Sequence, residues 1–151
     1  MARMLEGSEA LARKLAALKK EVPEALRPAL VKAGEEIAAD ARTLAETSRR
    51  TGGLIESITV TGPGETTPAH SGDGGQRTAG EFEVLVTAGN SDARHAHLVE
   101  GGTAERFHKD GTPTGAMPAA PFFNPAFRLN RNRLRRRINA AMRRAMRKAV
   151  Q

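Results

Sequence analysis

His95 and His97 stand one residue apart with Glu100 close behind, the one grouping in this sequence whose residue types suit a divalent metal. The spacing argues against a site on a helix, because neighbours at i and i+2 point about 200° apart whereas ligands sharing a face are three or four residues apart. On a strand the two imidazoles would share a face. His70 and His108 lie in glycine-rich stretches and read as exposed and uncoordinated. A nucleophilic serine is not marked: no G-x-S-x-G occurs, and Ser57 follows Glu56 where a turn meets a strand. The glycine-rich run lacks G-x-x-x-x-G-K-[ST], so it is read as a linker rather than a phosphate cradle. With no cysteine, disulfides and thiolate metal sites are excluded. The expectation is a protein with no catalytic residues, no cofactor and no metal.

Charge is the chemistry that remains. The chain carries 24 Lys and Arg against 17 Asp and Glu, and the segment from Phe122 to the end holds +10 of that charge with no acidic residue, leaving the remainder at −3. Phe127, Leu134, Ile138, Ala141, Ala145 and Ala149 recur at helical spacing, and Met142 and Met146 widen the stripe. Arg133, Arg136, Arg137, Arg143, Arg144, Arg147 and Lys148 fall on the remaining arc, so the helix can bury one side and offer the other. Such a face suits an anionic partner, either nucleic acid or an acidic surface on another subunit, and the competing reading is a solvated face. Phosphate neutralisation without base-stacking aromatics fits nonspecific rather than sequence-specific binding.

The elements that must position these residues follow from periodicity. Leu11, Leu15, Leu18 and Val22 predict a helix over 8–21 capped by Ser8, and Leu30, Ala33, Ile37, Ala41 and Leu44 predict a second. Pro23 and Pro28 place a break between them with a restart in 24–29, a kinked continuous helix being the alternative. Ile58 and Val60 alternate with threonines in a strand near 56–61, and Phe82, Val84 and Val86 form its antiparallel partner. Between them residues 62–80 hold six Gly, two Pro and no large apolar group, which predicts a long mobile hairpin loop. A short helix over Ala93–Glu100 ends at Gly101 and Gly102, a further mobile loop lies near 104–116, and the basic helix closes the chain. The whole reads as a single α+β domain over 1–151: N-terminal helices, a small antiparallel sheet and a long basic C-terminal helix. No run reaches the roughly 18 apolar residues that span a bilayer, and the first residues lack a signal-peptide core, so membrane insertion and secretion are not expected. The only aromatics are five Phe, and so thin a core points to burial against partners.

Three stretches in order carry a resemblance: Thr51-Gly-Gly-Leu54-Ile-Glu-Ser57-Ile58; His95-Ala-His-Leu-Val-Glu100-Gly101-Gly-Thr103; and Met117-Pro118-Ala-Ala-Pro121-Phe122-Phe-Asn-Pro125-Ala126. Together the pattern resembles the tail-completion, or head–tail joining, family of phages with long non-contractile tails, with His95 standing where the family usually has an aromatic. The resemblance implies a structural protein of the virion neck, made in the host cytoplasm and assembled as a hexameric ring that completes the tail top. Its partners would be copies of itself, neighbouring neck and tail-tube proteins, and genomic DNA in the lumen. Thr51, Gly52, Leu54, Ser57, Ile58, Glu100, Gly101, Thr103, Pro118, Pro121, Phe122 and Pro125 would then be structural. A tail terminator ring is the alternative within this class; a nonspecific DNA-binding protein using the basic helix is the alternative outside it. Both loops are expected to order on neighbouring rings, so that removing 64–78 leaves the subunit folded and impairs assembly.

Overall fold

The computed structural model describes residues 2–72 and 75–150. Its first element, α1, runs unbroken over Ala2–Ala45 with Pro23 and Pro28 inside it, so the two predicted N-terminal helices are one. The reason is packing. The stripe Leu18, Val22, Leu26 and Leu30 stays in phase across both prolines and is packed around Ala141 and Ala145 of the last helix. That continuous interface holds both halves in line against a cost of about 3 kcal/mol for a proline in a helix interior.

A single 3₁₀ turn at Glu46–Ser48 leads to α2 (Gly53–Glu56), β1 (Thr59–Thr61) and β2 (Leu85–Thr87). The first predicted strand is thus shortened, its opening residue Glu56 ending α2 and Ser57 and Ile58 lying between the two elements. The second lies further along than expected, and Phe82, placed in it by alternation, is 56% exposed. The pairing is antiparallel with Thr59 opposite Thr87, whose hydroxyls are 3.1 Å apart. The two-stranded sheet rests on α1 at Gly34, where a Cβ would stand 2.7 Å from a Val84 methyl and 2.8 Å from a Val60 methyl. Only glycine lets the helix and sheet approach so closely.

Within the predicted loop, the described residues 64–67 and 77–79 pair with one another as a short ribbon. The Gly64 N–H donates to Ala79 O, Ala79 N–H to Glu65 O and Thr67 N–H to Arg77 O, each at 2.9 Å, and the Thr66 and Thr78 hydroxyls meet at 2.9 Å. Backbone pairing and threonine hydroxyls supply the order that the composition could not supply through apolar burial, with Thr67, Ser71 and Ala79 nonetheless buried.

α3 (Ala96–Gly101) begins three residues later than predicted, because Asn90 Oδ1 accepts the Asp92 and Ala93 N–H groups and holds that stretch as a turn. The second expected loop is also a hairpin: β3 (Thr103–Phe107) pairs antiparallel with β4 (Pro113–Met117), with two register shifts. Its turn is closed by His108 N–H on Thr112 O at 2.8 Å, with Gly111 at φ +86° after Asp110, a D-G hairpin signal masked in the sequence by the surrounding glycines and prolines.

α4 (Phe123–Val150) returns along α1. Ala38, Ala41 and Ala45 of α1 meet Phe122 and Ala126 at the start of α4, with Leu54, Ile58 and Val99 completing the core. The buried line of α4 starts at Ala126 and Asn130 rather than at Phe127, which is 44% exposed; Met142 and Met146 also face outward. The crossing of the two helices moves the contact around α4 along its length, which a fixed stripe cannot represent. Among the described residues, no helix is long and apolar enough to cross a membrane.

Candidate assembly interface

The three motif stretches converge at the start of α4. Glu100, at the end of α3, accepts the N–H groups of Phe122 and Phe123 on one oxygen, both at 2.8 Å, and that of Asn124 on the other at 2.9 Å. Pro125 has no N–H, and Ala126 makes the first bond within the helix, to Phe122 O. All the orphan donors of the α4 N-terminus are therefore met by one carboxylate or removed by one proline. Burial pushes the Glu100 carboxyl up, and the backbone donors, Phe123 foremost, outweigh it and hold the group below the usual glutamate range. A negative charge here also complements the helix dipole.

The other motif residues brace the same corner. Gly52 takes φ +93° to start α2, and Leu54 and Ile58 are buried. Buried Ser57 donates to Leu54 O at 2.7 Å and accepts the Gly89 N–H at 3.0 Å, joining α2 to the turn after β2. The Ile58 carbonyl accepts from Arg42 of α1 at 2.6 Å. Gly102, at φ +70°, leaves no room for a side chain, since a Cβ would lie 2.7 Å from Ala119 N. Thr103 accepts the Met117 N–H on its hydroxyl at 2.9 Å, and Ala120 N–H donates to Val99 O at 2.9 Å. Phe122 is fully buried, its ring edge-on to Phe123 at 6.3 Å. Thr51 and Pro118 line a cleft, while Gly101 and Pro121 are exposed.

That cleft, about 490 Å³, has an apolar floor including Leu54, Ile55, Val99 and Ala120, with Arg49, Arg50 and His95 along its polar side. His97 lines a different one of about 250 Å³ beside Glu100 and His70, so the two histidines open onto separate spaces. Arg94 Nη2 lies 3.3 Å from His70 Nε2, and Glu100 is already engaged by backbone donors. His108 is exposed in the turn between β3 and β4.

The basic helix divides into two sets. Arg133 and Arg137, expected on the free face, turn to α1: Arg137 donates to Glu36 Oε1, and Arg133 Nη2 lies 3.0 Å from Glu36 Oε2. Arg133 also donates to Asn130 Oδ1, and buried Asn130 donates to Asp40 Oδ2, both at 2.6 Å. This polar ladder sets the register of α1 against α4, a role best known for buried polar groups between helices. The Arg137 hydrogen bond, with the charges of Arg137, Arg133 and Lys32, outweighs burial and holds the Glu36 carboxyl below its usual range. The sequence could not assign these two arginines, because the partner lies about a hundred residues away. Arg136, Arg143, Arg144, Arg147 and Lys148 are exposed, and Arg128, Arg131 and Arg135, which the stripe left unassigned, join them. Among the described residues these eight have no ion-pair partner.

Residues 9–102, spanning most of α1 through α3, match the family described as "Bacteriophage HK97-gp10, putative tail-component". No curated protein and no solved structure matches the chain.

Proposed function

The chain belongs to this HK97-gp10-like family of bacteriophage tail components, and from that premise we propose that it closes the top of the tail as a ring and joins the tail to the head. A tail component is a structural protein of the virion that contacts other tail proteins; the ring, the neck position and the passage of DNA are the proposal. One observation carries it: two elements lead away from the core with apolar side chains uncovered. Residues 7–16 of α1 are exposed throughout, with Leu11 59% and Leu15 56% exposed, and the β3–β4 arm carries Phe107 at 62%. A subunit built to meet neighbours would have such surfaces, since its apolar area is completed only on assembly.

Solution mass by light scattering with refractive-index detection tests the ring; the chain has no Trp or Tyr to absorb at 280 nm. A discrete hexamer or other closed oligomer supports it. Phage lacking the protein should yield filled heads beside unattached tails of normal length. Overlong tubes in that preparation would instead assign the terminator role, since loss of a cap leaves tube growth unchecked, and normal infectious particles would refute both.

The eight exposed cations of α4 that have no ion-pair partner among the described residues favour one further reading, nonspecific contact with duplex DNA. Such binding by the isolated subunit should fall steeply with salt, log K declining by about 0.9 per phosphate contacted per decade of salt. Absence of binding at low salt would leave the basic face to an acidic protein surface.

A further inference from the structure

We propose that the β3–β4 arm of one copy docks in the apolar cleft of the next, with Phe107 in the cleft and Glu105 against Arg50. The inference rests on the ring reading above and names its contact. The arm is exposed along nearly its whole length, from Ala104 to Ala116. An isolated two-stranded hairpin is marginal in water, so an uncovered arm of this kind gains from a surface to lie on. Phe107 is 62% exposed. Glu105, two residues before it, is exposed and has no ion-pair partner among the described residues.

The cleft offers the complementary chemistry. Its floor includes Leu54, Ile55, Val99 and Ala120, and its volume of about 490 Å³ admits an aromatic ring. Arg50 stands on its polar side, exposed and likewise without an ion-pair partner among the described residues. Arg49 beside it is 3.4 Å from Glu46. The arm of the same chain does not fill this cleft. It springs from the rim at Met117 and Pro118, and the paired ladder carries Phe107 four residues along β3, roughly 13 Å from its start at about 3.3 Å per residue. Knob and cleft are therefore different patches of one molecule, the condition for a head-to-tail contact that closes into a ring.

The absence of cysteine allows a direct test. Phe107→Cys and Ile55→Cys are combined in one chain, with Glu105→Cys and Arg50→Cys as a second pair at exposed positions in case the first perturbs folding. Each is oxidised as purified protein and in assembled particles, then run on a denaturing gel without reductant. A disulfide needs Cα atoms within about 7 Å, so docking should give a ladder of covalent multimers, whereas each single variant stops at a dimer. Charge exchange adds an independent measure. Glu105→Arg or Arg50→Glu alone should weaken self-association about fivefold, and the two together should restore it. No ladder from either pair in protein that light scattering shows to be a closed oligomer overturns the arm contact and leaves the ring standing. A chain that is monomeric in solution and yields no ladder in particles overturns both.

Discussion

Replacing Glu100 with Ala removes the carboxylate that closes the α4 N-terminus, and the cost can be worked from its three bonds. The Phe122 and Phe123 N–H groups are partly buried, and each loses a charge-assisted acceptor, at about 1–1.5 kcal/mol apiece when water only partly replaces it. The Asn124 N–H is exposed and rehydrates, adding a few tenths of a kcal/mol. The sum is about 3 kcal/mol, above the roughly 1 kcal/mol typical of a helix cap because one residue serves three donors. For a chain of this length that lowers Tm by about 6–12 °C, readable by calorimetry or by circular dichroism at 222 nm. Glu100→Gln keeps an acceptor and loses the charge, and should cost about half as much. The acid dependence separates the two effects. Because the folded-state pKa of Glu100 is depressed, the folded protein binds fewer protons than the unfolded chain as pH falls, so this stabilisation is complete above the unfolded value of about 4.3 and is lost as pH drops through the folded value. Glu100→Gln should flatten that part of the acid slope and leave neutral pH flat. A Tm for Glu100→Ala within 1 °C of the parent, or an unchanged acid slope in Glu100→Gln, would refute the capping argument.

Gly102→Ala forces a Cβ against the Ala119 backbone at a positive φ and should cost about 3 kcal/mol, seen as a lower urea midpoint; an unshifted midpoint would mean that this corner yields. At Gly34 the outcome is a contest of sign. Alanine gains about 1 kcal/mol of helix propensity but must displace Val60 and Val84, so Gly34→Ala should be net destabilising by about 1–2 kcal/mol, and a stabilised variant would refute the close helix–sheet approach. Glu36→Ala leaves Arg133 and Arg137 facing α1 without their anion and should cost about 2 kcal/mol in urea unfolding. Reversing Arg136, Arg143 and Arg144 to Glu should leave Tm within about 2 °C, because these side chains are exposed and make no hydrogen bond or ion pair to another element among the described residues, while lowering the salt slope of any DNA binding.

The stripe on α1 was legible through its whole length, since Leu26 continues Val22 in phase across Pro23 and Leu30 continues it across Pro28, but proline weighs against a helix until the partner that holds both halves is known. The two hairpins were hidden for a related reason. Residues 62–80 and 104–116 have the composition of loops, and the order of the described parts, 64–67 with 77–79 and β3 with β4, rests on backbone pairing, which leaves almost no mark on side-chain type. The Asp110–Gly111 turn was the one local signal of the arm. The motif residues were picked out by their resemblance to a known family, yet nothing in the sequence says that Glu100 reaches across to the Phe122, Phe123 and Asn124 N–H groups.

What the sequence alone determined about this protein is what depends on local order: long amphipathic helices at both ends, two short alternating strands, a charge-segregated C-terminal segment, and three motifs in a telling sequence. What only the tertiary structure decided is which groups are used up inside the fold and which are left to meet a partner. Arg133 and Arg137 look like their neighbours in the sequence and are bound to Glu36 in the fold, while Leu11, Leu15 and Phe107 look like core and lie outside it. Helical periodicity specifies the angle of a side chain about its own axis, and burial depends on what stands opposite, a property of contacts between segments far apart in the chain.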